Sequence, residues 1–422
     1  MPDGSATAHL YRPKLLNLLD ENYSLAHLRA DAFAGLTVAI VALPLSMAIA
    51  VASGVSPDRG LIAAIIGGLI VSALGGSRYQ IGGPAGAFIV LVSATVSAHG
   101  LGGLILAVLM SGFLLTILGL TRLGSLVRYM PNAVTVGFTF GIAITIFASQ
   151  LRDLAGLVLP AAEPGPLIAK MMALASAAPT INPPALALGL TTALVIAAFQ
   201  RWKPTWPGML IAVILGSSAA MLFGMPVETI GSRFGGIAAG LPLPSMPEVN
   251  ATLAWSVLPS ALSFTLLGAV ESLLSAKVAD GMTGRKHRYN MEVVAQGIAN
   301  VGSALFGGIS VTGTIARTAT NIRAGARSPV AGILHSVFLF VFLVAAAPLA
   351  NAIPLSVLAG VLLVVCWNMA EKKEFILNLK HWSTGGVLLV TFGLTMVKDL
   401  TWGIVAGCLL AAVLAAVYKA RS

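Results

Sequence analysis

Two ionisable residues stand inside long apolar stretches of this sequence. Glu271 is the one charged residue in the run 258–276, and Arg317 follows Gly313 by four residues in a second apolar region. A charge at the centre of a bilayer costs about 2.5–3.5 kcal/mol on insertion scales, so such residues need a partner or a function. Ser275 follows Glu271 by four residues and therefore shares its helix face.

These positions predict that Glu271, with Ser275, accepts a proton, supplies a counter-charge or binds a cation beside the substrate. A direct Glu271–Arg317 ion pair or relay is the accompanying hypothesis. The alternative is that Glu271 lies near the inner end of its helix and reaches water beside Lys277.

Two glycine-rich breaks interrupt the apolar sequence, at 82–86 and at 307–313. A helix that begins in mid-membrane has about four unpaired N–H groups and roughly half a positive charge at its start. Two such starts facing one another can bind an anion. The alternative is that the glycines only permit close helix packing. The predicted substrate-binding residues are Ala85, Gly86, Ala87, Phe88, Gly313, Thr314, Ile315 and Arg317.

The composition shows what surrounds these residues. Hydrophobic residues make up 57% of the chain and charged residues 9%, with a mean hydropathy of +0.92. A soluble domain carries about 25% charged residues, so most of this exterior must face lipid. The net charge of +10 is spread between apolar runs, which argues against nucleic-acid binding. The two cysteines lie in apolar runs and indicate neither a disulfide framework nor a metal site, and no cofactor is predicted.

The apolar runs predict an all-α integral membrane protein with fourteen transmembrane elements. Spans are expected in 33–52, 59–75, 131–151, 183–200, 205–223, 257–276, 290–306, 382–397 and 400–418, with two each in 79–121 (the first a short segment opening at 84) and 328–370, and a short segment opening at 314. With a cytoplasmic N-terminus, most of the 25 Lys and Arg residues fall on the inner side, as the positive-inside rule requires. Both termini are therefore predicted to be cytoplasmic.

The two glycine-rich breaks occupy matching places in two halves of seven elements each. An odd number of elements inverts the second half, which predicts a 7+7 inverted repeat with two discontinuous half-helices and a midplane site. The predicted segments are a cytoplasmic N-terminal segment 1–30, a first repeat 31–223, an external linker 224–255, a second repeat 256–419 and the start of a tail at 420–422.

Several sequence stretches resemble the SulP (sulfate permease) anion transporters. The similar stretches are 31–40, 43–48, 80–86, 268–275, 278–281, Asn300, 307–308 and 312–321. The resemblance implies a core domain and a gate domain with elevator-like movement. It also places the substrate between the third and tenth helices, at Ala85, Ala87, Phe88, Thr314 and Ile315.

The resemblance also implies roles for single residues. Glu271 matches the family's acidic residue on the eighth helix. In the sodium-coupled bicarbonate branch, this position and that of Ser275 bind the cation with groups near Gly313 and Ile315. In the branch with an arginine at Arg317, that arginine tunes the field at the anion site.

The sequence departs from the family's pattern in two places. Leu45 stands where many members have glutamine, which removes one side-chain donor to the substrate. Members usually continue into a cytoplasmic STAS domain, whereas this sequence ends at Ser422, where that linker would begin. The sequence leaves open whether the protein forms a homodimer.

The sequence thus predicts a secondary active transporter of a small anion (sulfate, bicarbonate or a dicarboxylate) in the inner membrane, with the lipid bilayer and a coupling ion as its other partners. Proton coupling is favoured because Glu271 coexists with Arg317. The alternatives are a sodium-coupled bicarbonate symporter and an anion channel or uncoupled exchanger. An enzyme is disfavoured because Glu271 has no acid or base beside it in the apolar spans, and a nucleobase carrier would need more polar residues at the breaks.

Overall fold

A computed structural model describes residues 9–123, 131–160, 163–164, 167–204, 206–398 and 400–421. Three parts of the sequence predictions lie outside these ranges. They are residues 1–8 of the N-terminal segment, Arg128, which is one of the basic residues predicted on the inner side, and Ser422 of the tail.

Helices dominate the described chain. They are α1 Leu25–Ala52, α2 Pro57–Leu74, α3 Ile89–Leu120, α4 Asn132–Ala155, α5 Leu167–Ser176, α6 Pro183–Trp202, α7 Gly208–Leu222, α8 Ile230–Phe234, α9 Ala251–Thr283, α10 Tyr289–Leu305, α11 Ile315–Arg323, α12 Val330–Ala350, α13 Leu355–Met369, α14 Lys372–Leu379, α15 Trp382–Val397 and α16 Leu400–Arg421. Short 3₁₀ turns occur at His9–Tyr11, Lys14–Leu19, Gly86–Phe88 and Ala178–Thr180.

Polar residues at the helix ends explain several boundaries. The Ser24 side chain accepts a hydrogen bond from His27 N at 3.4 Å before α1, and Asn250 accepts one from Thr252 N at 3.0 Å before α9. Each satisfies one of the N–H groups that a helix start leaves unpaired. Gly284, with φ of 70°, ends α9 in the left-handed conformation that glycine adopts easily.

Within the described residues, 8 helices are long and apolar enough to cross a membrane. Four shorter apolar helices lie at Leu167–Ser176, Gly208–Leu222, Trp382–Val397 and Trp402–Val417. A helical membrane protein with many spans is therefore confirmed. The count of fourteen elements and the 7+7 inverted repeat stay predictions.

The two long apolar runs fold differently from one another. Run 328–370 forms α12 and α13 as expected. Run 79–121 forms the first break and then α3, in which Gly100 has φ of 67° and ψ of −174° and divides the helix in two. The polar stretch 152–182 contains α5, which the sequence did not predict. Lys170 of α5 is buried, donates to Ser149 Oγ at 2.6 Å and pairs with Glu163 at 2.8 Å.

The two glycine-rich breaks pair with each other. Strands β1 (Gly82–Gly83) and β2 (Thr312–Gly313) are antiparallel, with Gly82 opposite Gly313 and Gly83 opposite Thr312. The predicted all-α fold is thus interrupted by this short sheet. Backbone groups at membrane depth need partners inside the protein, and the sheet supplies some of them.

The helices pack in two groups. The first bundle comprises α1, α2, α3, α9, α10, α11 and α12, and includes both breaks. The second bundle comprises α4, α6, α7, α13, α15 and α16. The two bundles meet mainly where α1 contacts α13 and α7.

The linker between α7 and α9 is bound to both bundles. Arg233 pairs with Asp153 of α4 at 2.8 Å. Ile237 N donates to Asn351 Oδ1 at 2.9 Å, in the loop that joins α12 to α13. Further along, Ser245 N donates to the carbonyl of Leu305 at 2.8 Å, at the end of α10.

Gly297→Ala should destabilise the first bundle. A Cβ at Gly297 would lie 2.6 Å from the carbonyl oxygen of Gly112 and 2.6 Å from Thr116 N, both on α3. Overpacking of this kind costs about 1–3 kcal/mol, so we expect a lower midpoint of thermal unfolding in detergent. Gly281→Ala on α9 is the control, because no atom lies within 4 Å of its added Cβ. Equal midpoints for Gly297→Ala and wild type would contradict this close crossing.

Candidate anion-binding site

The paired breaks are cross-linked beyond their two-residue sheet. Thr314 N, at the start of α11, donates to the carbonyl of Ile81 at 3.0 Å. In return Ile81 N donates to Thr318 Oγ1, one turn along α11, at 3.1 Å. Each break thus satisfies backbone groups of the other, and the start of α11 is fixed against the first break.

Helix α9 supplies polar side chains to the second break. Ser272 Oγ lies 2.9 Å from Thr312 Oγ1 and accepts a hydrogen bond from Gly313 N at 3.2 Å. Gln80 Nε2 donates to the carbonyl of Ser272 at 3.2 Å. Gly313 has no room for a side chain, because a Cβ there would lie 1.6 Å from Gln80 Nε2. Ser272 and Gln80 therefore fix the position of β2.

Asn300 of α10 holds the chain just before β2. Its Nδ2 donates to the carbonyl of Val311 at 2.8 Å, and its Oδ1 accepts from Val311 N at 2.9 Å. The side-chain amide thus bonds to both backbone groups of Val311, as a neighbouring β-strand would. Because Asn300 is buried, the two backbone groups of Val311 would otherwise lack partners.

Arg317 lies on α11, and its side chain contacts the first break. Its side chain is 2% exposed, and its Nη2 donates to Ser46 Oγ at 3.1 Å and to the carbonyl of Pro84 at 3.3 Å. Its Nε and Nη1 have no hydrogen-bond partner among the described residues. A Cβ at Gly83 would lie 2.1 Å from Nη1, so the glycine makes space for the guanidinium.

Glu271 and Arg317 do not form the predicted ion pair. The ion pairs among the described residues do not include Glu271, and Arg317 points to Ser46 and Pro84 instead. The prediction of a direct pair is wrong, because the Arg317 side chain, in the first turn of α11, reaches Ser46 on α1 and Pro84 rather than Glu271 on α9. A charged side chain close enough to act electrostatically on Glu271 is Glu371, at the start of α14.

Ser275 shares the helix face of Glu271 but is fully buried, where its Oγ donates to Thr318 Oγ1 at 3.1 Å. The hydroxyl therefore joins α9 to α11. Glu271 itself is half-buried. Their shared role in coupling stays a prediction.

The predicted lining residues are brought together, with one at the edge. Ala85, Ala87, Phe88, Gly313 and Thr314 are buried, whereas Ile315 is 37% exposed. Phe88 stacks on Phe264 of α9, with ring centroids 5.8 Å apart. Binding of an anion by these residues stays a prediction.

Gly86 faces the second bundle. A Cβ there would lie 3.2 Å from Met369 Sδ of α13 and 3.9 Å from Ile146 Cδ1 of α4. The first break therefore lies on the boundary between the bundles.

The sequence analysis gave no individual role to several positioning residues. Ser272, Asn300 and Thr318 each bond to a break or to the residue beside it, and Gln80 bonds to the carbonyl of Ser272. Glu292 of α10 is also buried, and its Oε2 accepts from Ser77 N at 2.8 Å in the loop that leads to the first break. The available signal was a polar residue in an otherwise apolar stretch.

Two sources of positive charge lie beside the paired breaks. The buried guanidinium of Arg317 and the helix start at Thr314 both direct N–H groups towards the paired breaks. Small side chains at Ala85 and Ala87 leave the backbone accessible to a small ligand. The arrangement can hold an anion by charge-assisted hydrogen bonds and contains no described acid–base pair that would break a bond.

Comparison with known proteins places this geometry among anion transporters. The profile of the sulfate permease family matches residues 28–393. YvdB of Bacillus subtilis, a protein named for sulfate transport, is 41% identical over 93% of this chain and 74% of its own length. The bicarbonate transporter BicA of a Synechocystis strain is 33% identical over 92% of this chain and 70% of its own length.

A solved structure has the same fold. The transmembrane domain of a cyanobacterial bicarbonate transporter, BicA, superposes with a TM-score of 0.80 at 32% identity. The match covers 92% of this chain and 98% of that domain.

Asn300→Leu should loosen the second break while keeping the side-chain volume. Two buried backbone groups of Val311 would lose their partners, which costs about 1–3 kcal/mol each before relaxation. We expect a lower unfolding midpoint and weaker binding of the transported anion. Asn378→Leu is the matched control, since the Asn378 side chain donates only to the carbonyl of Glu374, one turn earlier in α14, among the described residues. Wild-type stability in Asn300→Leu would show that the break does not depend on this amide.

Proposed function

The chain belongs to the sulfate permease family, and on that basis we propose that it is a secondary active transporter of a small anion. The family and the relatives that match are transporters rather than enzymes. The proposed setting is the inner membrane, with both termini in the cytoplasm. The chain can act as a monomer or homodimer in this proposal.

One observation carries the proposal. The guanidinium of Arg317 is buried beside the two paired breaks, and two of its nitrogens have no partner among the described residues. A buried charge of this kind is costly unless an anion neutralises it. The transported anion is the proposed partner, bound between Ala85, Ala87 and Phe88 on one break and Thr314 on the other, with Gly86, Gly313 and Ile315 around it.

The two bundles give the proposal a mechanism. The first bundle carries both breaks and corresponds to the proposed core, and the second corresponds to the proposed gate. Because Gly86 faces Met369 across the boundary, a sliding movement of the core would change which side of the membrane the site faces. This is an elevator-type alternating access mechanism.

Protons are the proposed coupling ion. Glu271 is a half-buried carboxyl within the apolar helix α9, where a fixed charge is costly, so it can take up a proton during transport. Sodium coupling with bicarbonate is the second candidate. Its support is the likeness to BicA, and Glu271 with Ser275 would be its ligands.

The transported anion is proposed as sulfate or bicarbonate. YvdB supports sulfate and BicA supports bicarbonate. Uptake of both, and of fumarate as a dicarboxylate, would be measured in proteoliposomes with imposed pH and sodium gradients. Single-channel currents without accumulation would favour a channel, and no uptake of any of the three would overturn the proposal.

Arg317→Ala should reduce anion uptake by about tenfold or more, the effect of losing one charge-assisted contact. The measurement is initial uptake of the anion that the wild type transports best. Arg323→Ala is the matched control, because Arg323 is an exposed arginine at the other end of the same helix. Equal rates in both variants would remove Arg317 from the site.

Glu271→Gln should abolish the stimulation of uptake by an inward proton gradient, because an amide cannot take up the coupled proton. Anion exchange without a gradient should persist. Glu248→Gln, at an exposed position in the linker, should respond to the gradient like the wild type. Gradient-stimulated uptake that survives in Glu271→Gln would exclude Glu271 as the proton acceptor, and stimulation by sodium alone would support the second candidate.

A further inference from the structure

The N-terminal segment lies against the loops that precede β1 and α10. Lys14 N donates to the carbonyl of Gly75 at 2.9 Å, and Arg288 N donates to the carbonyl of Gly76 at 3.0 Å. The guanidinium of Arg288 also donates to the carbonyl of Arg12. Three separate parts of the chain therefore meet at one face of the protein, outside the membrane-spanning helices.

Basic side chains converge at this junction, and we refer to them as the basic cluster. Its members are Arg12, Lys14, Arg78, Arg285 and Arg288. Burial lowers the pKa of Lys14, and the positive charges of Arg288, Arg78 and Arg285 lower it further, while Asp280 opposes the shift. The pKa of Arg288 is lowered first by burial and then by Arg12 and Arg78.

Two acidic residues of the junction neutralise members of the basic cluster, and a third is bound by a histidine. Asp20 pairs with Arg12 at 2.5 Å, Glu21 pairs with Arg78, and Asp280 lies 2.7 Å from His287 Nδ1. Burial lowers the pKa of His287, so its ring adds little positive charge. Arg12 and Arg78 are thus neutralised, whereas Lys14 and Arg285 form no ion pair among the described residues. Within the described part of the chain, the Lys14 ammonium has no hydrogen bond or ion pair.

We propose that the basic cluster binds a phosphate group, with Lys14 as its central ligand. Convergent Lys and Arg side chains without enough carboxylates form an anion site, and a phosphate offers several acceptor oxygens to several donors at once. Either a phospholipid headgroup or a soluble phosphate has this chemistry, and Lys and Arg clusters beside a membrane bind anionic lipid.

The position of the cluster gives a bound phosphate a structural effect. The carbonyls of Gly75 and Gly76 are already tied to Lys14 and Arg288, and Ser77 N is tied to Glu292. This loop continues directly into Gln80, which bonds to α9, and Ile81, which bonds to α11. A phosphate on Lys14 would therefore clamp the N-terminal segment onto the approach to the anion site. The proposal itself does not depend on which anion is transported.

The test has a soluble arm and a lipid arm. In the first, purified protein in neutral detergent is titrated with inorganic phosphate at constant ionic strength, and the thermal unfolding midpoint is recorded. In the second, native mass spectrometry counts retained phosphatidylglycerol against phosphatidylcholine. Both arms use wild type, Lys14→Gln, Arg285→Gln and the exposed control Lys203→Gln. Each is repeated in an Arg317→Ala background, which removes phosphate binding at the transport site.

Lys14→Gln should weaken binding of the effective probe about tenfold, the loss of one charge-assisted contact. Arg285→Gln should weaken it in the same direction, and Lys203→Gln should leave it unchanged. If Lys14→Gln loses the rise of the unfolding midpoint with phosphate, the ligand is a soluble phosphate. If Lys14→Gln loses the retained phosphatidylglycerol, the ligand is a lipid headgroup. Binding that disappears with Arg317→Ala but survives in Lys14→Gln, or no binding in either arm, would overturn the proposal.

Discussion

Inside a bilayer, every backbone N–H and carbonyl group that leaves a helix must find a partner within the protein. The centre of this molecule is organised by that requirement. Two chain breaks that lie about 230 residues apart satisfy one another as the pair Gly82–Gly83 and Thr312–Gly313. What the pair leaves unsatisfied is taken up by side chains, with Asn300 on Val311 and Ser272 on Gly313. The position of the proposed anion site follows, because the start of α11 cannot move without breaking these contacts.

The two breaks could be predicted from the sequence, but their pairing with each other could not. Glycine spacing and the absence of charge located both interruptions, since few other features break an apolar helix. Their antiparallel register depends on contacts between distant residues, for which one sequence gives no signal. The same limit applies to Asn300 and Ser272, whose roles depend on which backbone group stands opposite. Helix α5 escaped because the charged residues spread over 152–182 favour a loop, although α5 itself is apolar and its Lys170 is buried by contacts with Glu163 and Ser149.

The wrong ion pair has a physical explanation. Sequence reasoning could say that Glu271 and Arg317 are both inside the membrane, and that each needs compensation. It could not say towards which neighbour each side chain points. Arg317 reaches across to Ser46 on α1 and Pro84, so its positive charge belongs to the first break rather than to α9. Glu271 is left towards the second bundle, near Glu371. The two charges therefore lie on different sides of the proposed site.

The linker between the halves has a mechanical consequence. Its hydrogen bonds at Ile237 and Ser245 fix it to the α12–α13 loop and to the end of α10. Eight Cα–Cα steps separate these anchors, and a fully extended chain of that length reaches roughly 27 Å. Pro242 and Pro244 favour a polyproline conformation, which shortens the reach to about 25 Å. This segment therefore sets an upper limit on how far the α12–α13 loop and the end of α10 can move apart.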